Sequence, residues 1–164
     1  MKLLEPLARW SAVLAGLLIT GITLMTCVSL IGRGTIGKTL AGDFELSGVA
    51  AGAAIALFMP WCQLKRGHII VDFFTARASD AVNAWLDRFG AFLLGLFMAL
   101  MAWRGVIGGV NAWKSGSGTM MLGFPEWIVY AFMVPPLALA AAIGLVQAVR
   151  GFEDRRDEGL ETSK

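Results

Sequence analysis

Gly32, Gly34 and Gly37 spell GxGxxG, a spacing that cradles a pyrophosphate when it follows a β-strand and opens a helix. Here it follows a long apolar run with no room for a βαβ unit, so dinucleotide binding is excluded. The two thiols, Cys27 and Cys62, fall near opposite ends of two successive apolar runs. That separates them by about 20 Å or more along the membrane normal, too far for a disulfide, and both are expected to be small packing residues. His68 is the only histidine, which excludes a metal cluster or a bis-histidine haem; it is expected to position a loop rather than to catalyse or relay a proton. Asp43, Glu45 and Glu126 stand at the borders of apolar runs, not within them, so the chain offers no embedded acid for ion coupling. No nucleophile–base pair, Walker loop or paired carboxylate can be assembled. The chain is expected to be no enzyme, to need no cofactor or metal, and to bind no nucleic acid.

The elements that hold these residues are set by solvent. Of 164 residues, 57% are hydrophobic and only 16% charged, with mean hydropathy +0.68, whereas soluble domains carry about 25% charged residues. The charges gather between four apolar runs, of which the first, second and fourth are close to or above the roughly 20 residues that cross about 30 Å of hydrocarbon, while the third, Phe89 to Trp103, is shorter. The expectation is an all-α integral membrane protein with four transmembrane helices, at about residues 10–31, 46–64, 89–112 and 127–149, forming one membrane domain over residues 1–150. The first run is too long for the core of a cleaved signal peptide. The third must continue through Arg104 to reach the far side. Two readings of that arginine stay open: a stem extending to the headgroups beside Trp103, Trp113 and Lys114, or a functional buried charge.

An even number of spans puts both termini on one side. Lys2, Arg9, Lys65, Arg66, Arg77, Arg88, Arg150, Arg155, Arg156 and Lys164 share that side, against Arg33, Lys38 and Lys114 on the other. The positive-inside rule therefore places both termini of this multi-pass protein in the cytoplasm. Tryptophans collect at interfaces, and Trp10, Trp61 and Trp85 fall at the inner boundary while Trp103, Trp113 and Trp127 fall toward the outer one.

Between spans two and three, Val82, Trp85, Leu86 and Phe89 recur at i, i+3, i+4, i+7, the period of an amphipathic helix. It is expected over about residues 73–88, lying on the cytoplasmic surface, with Ser79 or Asp80 placed to cap it; the other reading is that these are the first turns of a long third helix. Pro135 and Pro136 predict a kink in span four. Gly48, Gly52 and Ala56 on span two, and Ala140, Gly144 and Ala148 on span four, form small-xxx-small stripes that invite a close helix. That helix belongs either to this chain or to a partner. Residues 151–164 mix charges of both signs with few apolar residues and are expected to be a polar cytoplasmic tail.

The segment GHIIVDFF, with Gly67, His68, Val71 and Asp72, follows span two and a basic pair. It resembles the Gly-His-Ile-x-Val-Asp loop of the small permease subunits of TRAP (tripartite ATP-independent periplasmic) transporters. Arg33 after span one, Glu45-Leu46 at the start of span two, and Leu122-Gly123-Phe124-Pro125 before Trp127 and Tyr130 are similar to that family's pattern in the same order. The likeness covers about residues 10–150. One departure is Ser79-Asp80, where the family often carries prolines.

The resemblance implies a separate small subunit in a three-part importer. A periplasmic solute-binding protein delivers an organic acid, a large permease subunit carries it in with sodium, and the small subunit braces the large one as a heterodimer within the lipid. Two other classes are kept beside it. A self-sufficient four-helix multidrug transporter needs an embedded carboxylate that the spans lack, and a membrane anchor for a redox enzyme would be haem-free, since the spans lack axial ligands.

Overall fold

The computed structural model of the chain describes residues 4–35, 37, 41–65 and 80–150. Four helices account for nearly all of them: α1 (Leu4–Thr35), α2 (Asp43–Leu64), α3 (Asp80–Ser115) and α4 (Glu126–Arg150). All four are long and apolar enough to cross a membrane. This is an all-α membrane protein with four transmembrane helices.

Two of the helices exceed the apolar runs that nucleate them. α1 has 32 residues and α3 has 36, so at 1.5 Å per residue they reach about 48 and 54 Å, well beyond a hydrocarbon core of about 30 Å. The cause is backbone economy: near a bilayer, continuing the i→i−4 ladder past the apolar run satisfies amide groups that a coil would leave to find partners. Residues 80–88, the described part of the amphipathic segment, accordingly belong to α3 without a break, while residues 73–79 lie outside the described residues. Val82, Trp85, Leu86 and Phe89 are partly or largely exposed on this stretch, and the Trp85 and Phe89 rings stack with centroids 5.4 Å apart.

Neighbours in space follow the order α1, α2, α4, α3. α1 packs on α2, α2 on α4 and α4 on α3, with only a light touch between α1 and α4; α3 meets neither α1 nor α2 among the described residues. The helices thus form an open row, not a closed bundle, and each outer helix buries one face only. Met98, Ala140 and Ala141 make the core, joined by Met59, Leu94, Ala99 and Leu137.

Both α2 and α4 carry proline inside an unbroken helix, Pro60 in the first and Pro135 and Pro136 in the second. Each lacks an N–H and frees a carbonyl one turn earlier. Pro60 is among the most deeply buried side chains. Gly32 and Gly34 lie in the last turn of α1 and Gly37 just beyond it, so the GxGxxG spacing here terminates a helix.

Candidate functional site

Three groups of residues decide what this row of helices can do: a glycine seam, polar ties near the two ends of the helices, and an apolar groove.

The seam joins α3 to α4. Glycine lets two helices approach until backbones touch, and that closeness is reached at Gly144, where an added Cβ would lie 2.9 Å from Gly95 Cα. At Gly95 the same atom would meet the Leu145 nitrogen at 3.0 Å. Farther along, Gly105 faces Val134, and Gly108 and Gly109 lie beneath the Tyr130 ring. The stripe holding Ala140 and Gly144 therefore packs within this chain, its open alternative resolved by register. Span two differs: Ala56 is buried, but added Cβ atoms at Gly48 and Gly52 would meet nothing within 4 Å.

Toward the end bearing the chain termini, α2 is tied to α4. Gln63 Nε2 donates to Gln147 Oε1 at 3.0 Å, and Gln147 Nε2 donates to the Gln63 carbonyl at 3.1 Å. Both side chains are buried. Amides paired this way across a membrane helix contact act as polar glue. Sequence reasoning missed them, although two amides at matching depth in neighbouring apolar runs are a readable signal.

At the opposite end, the start of α2 is tied to both hairpin partners. Ser29 of α1 donates its hydroxyl to Asp43. Glu45 accepts from the backbone N–H of Met121 at 2.8 Å and of Leu122 at 3.2 Å, so its carboxylate serves the loop between α3 and α4 and not Arg33. Arg33 is exposed in the last turn of α1.

The loop itself is built by its glycines. Gly116, at φ 63°, closes α3: its N–H bonds the Trp113 carbonyl while Ser117 bonds Ala112, the paired bonds of a Schellman motif. Gly123, at φ 62°, reverses the chain so that Thr119 and Phe124 pair, and Pro125 leads into α4. Leu122 then lies directly over Gly42, where a Cβ would come within 2.4 Å of Leu122 Cγ. Leu122, Gly123 and Pro125 thus shape the loop that Glu45 fastens. Gly67, His68, Val71 and Asp72 lie outside the described residues.

Beside the seam, near the same end, an open groove of about 470 Å³ runs between α3 and α4. Its walls include Val106, Trp113, Trp127, Tyr130 and Val134, with Lys114 its charged member; Trp113 and Trp127 meet edge to face at 4.7 Å. Such walls suit an acyl chain or an apolar side chain, not a charged solute. Among the described residues no cluster of His, Cys, Asp or Glu is placed to hold a metal.

The family described as "Tripartite ATP-independent periplasmic transporters, DctQ component" matches residues 22–154. The chain belongs to that family. The match takes in the last part of α1, the whole of α2, α3 and α4, and all three connections between helices. A DctQ component is the small component of a TRAP transporter, a multi-pass inner-membrane protein from a transporter family and not an enzyme family. No curated protein and no solved structure matches the chain.

Proposed function

We propose that this DctQ component is a scaffold: it braces the large permease subunit of its transporter as a heterodimer, while that subunit imports an organic acid with sodium and a periplasmic binding protein delivers the cargo. Both chain termini face the cytoplasm in this reading, in accord with the excess of lysine and arginine on that side.

The observation that carries the proposal is how the chain uses the glutamines within its spans and the acids at their borders. Gln63 and Gln147 bond each other, and Glu45 and Asp43 bond the loop and α1. These groups fasten helices together. The outer faces of the open row are mostly apolar, with exposed side chains such as Leu17, Leu24, Phe92, Leu96 and Phe97, as a helix assembly set in lipid and against a larger membrane protein requires. Sequestering a charged acid calls instead for convergent polar groups and half-helix ends near mid-membrane.

Reconstitution tests this directly. Vesicles holding the small and large subunits, supplied with binding protein and an inward sodium gradient, should accumulate the acid. Vesicles holding the small subunit alone should be inert, and sodium-driven uptake by them would overturn the scaffold reading.

A further inference from the structure

Arg104 is exposed on α3, and no described residue accepts a hydrogen bond from it. Its depth is fixed by the residue beside it, because Gly105 packs on Val134, which lies about 12 Å into α4 from Glu126. Counted along α3, Arg104 stands about 13 Å below Trp113 of the interfacial tryptophan pair. In a hydrocarbon core of about 30 Å that is close to the middle, so Trp103 beside it stands well inside the outer boundary at which its residue type was expected. An arginine stem cannot bring its head back to the headgroups from there without a local defect in the bilayer.

The exposed threonines in the middle of α1 have a local remedy. Thr20, Thr23 and Thr26 on α1 donate their hydroxyls to carbonyls one turn back, each at 2.8 Å, so α1 can face lipid without an unsatisfied donor. A guanidinium has five donors, no acceptor and a permanent charge, and the helix backbone cannot satisfy it. Leu100, Arg104, Ile107 and Asn111 follow one another at helical spacing, and all four are exposed. The glycine face of α3 packs on α4, and α3 meets no other helix of the row.

We infer that the stripe Leu100, Arg104, Ile107 and Asn111 is the intramembrane contact of this subunit with the large permease subunit, which supplies a carboxylate to Arg104. The inference rests on the scaffold reading and deepens it. Charge complementarity selects the occupant: a lipid tail offers no acceptor, and a second copy of this chain would bring the same positive charge to the same stripe. A carboxylate on a neighbouring membrane helix offers bidentate, charge-assisted hydrogen bonds.

The test uses both subunits expressed together in membranes, with a photo-crosslinking residue placed at position 100 or 111. The expected product is an adduct of heterodimer size that requires the large subunit. Arg104→Leu should lower recovery of the one-to-one complex several-fold without lowering the thermal stability of the isolated small subunit, and Arg104→Lys should retain more complex than Arg104→Leu. If the wild-type complex forms but the adducts are only with lipid or a second copy, or if Arg104→Leu leaves recovery unchanged, the contact is wrong and the scaffold reading survives. If no one-to-one complex forms with wild-type protein, both fall.

Discussion

Gly144 and Gly95 bring the backbones of α3 and α4 together so closely that a larger side chain at Gly144 meets main chain alone, and one at Gly95 meets main chain first, with Leu145 Cγ just behind. Main chain gives way less readily than a flexible side chain, so Gly95→Leu is expected to cost about 1–3 kcal/mol, seen as a lower apparent melting temperature in detergent. Gly52→Leu is the contrasting case. Its Cβ has open space, so the isolated subunit should melt as before, and a lower yield of heterodimer would mark the α2 stripe as a contact with the partner. The stripe containing Gly144 was legible in the sequence as small residues four apart, but the glycine opposite it was not, because matching Gly95 to Gly144 requires the register of two helices. Glu45 teaches the same lesson about partners. Its acceptors are used by the main-chain N–H groups of Met121 and Leu122, which side-chain identities do not reveal. Glu45→Ala should therefore speed hydrogen exchange at Met121 and Leu122, and an Arg33 and Glu45 double-mutant cycle on uptake should show additive effects.

Between helices, the contact of α2 with α4 depends on the Gln63 and Gln147 pair more than its few atoms suggest. Gln147→Leu removes both bonds of the pair, whereas Gln63→Leu removes only the donor to Gln147 Oε1 and leaves Gln147 Nε2 its bond to the main-chain carbonyl of residue 63; each lost buried bond costs about 1–3 kcal/mol. Unfolding in mixed micelles should show Gln147→Leu less stable than Gln63→Leu, with a coupling between the two positions of about 0.6–1.7 kcal/mol. Hydropathy located all four helices, because crossing lipid demands a long apolar run whatever else the helix does. It could not fix their ends: Glu5, Arg9 and Arg33 all lie within α1, where the hydrogen-bond ladder outlasts the apolar composition. Nor did it reveal Pro60, which sits inside α2 as tolerated as the proline pair of α4. Val82, Trp85, Leu86 and Phe89 are exposed along the first turns of α3, and their period in the sequence describes a face without saying whether the axis bends.

For the molecule as a whole, the proposed topology predicts that a cytoplasm-active reporter fused after Lys164 is active and a periplasm-active one is silent; the reverse result would invert the orientation. The row α1, α2, α4, α3 also divides naturally into two antiparallel pairs, α1 with α2 and α3 with α4. What joins the pairs is the α2–α4 contact, with the two glutamines near one end and the Glu45 carboxylate on the Met121–Leu122 backbone at the other. The Glu45 bonds must wait until α3 and the loop after it are made, and the glutamine pair until α4 has left the ribosome. Biogenesis should then proceed by inserting two finished hairpins and latching them late, and a gene cut between the codons for residues 66 and 79 should still yield protein when both pieces are translated in one cell. Partners found this way would separate readily once the latches at both rims are removed together.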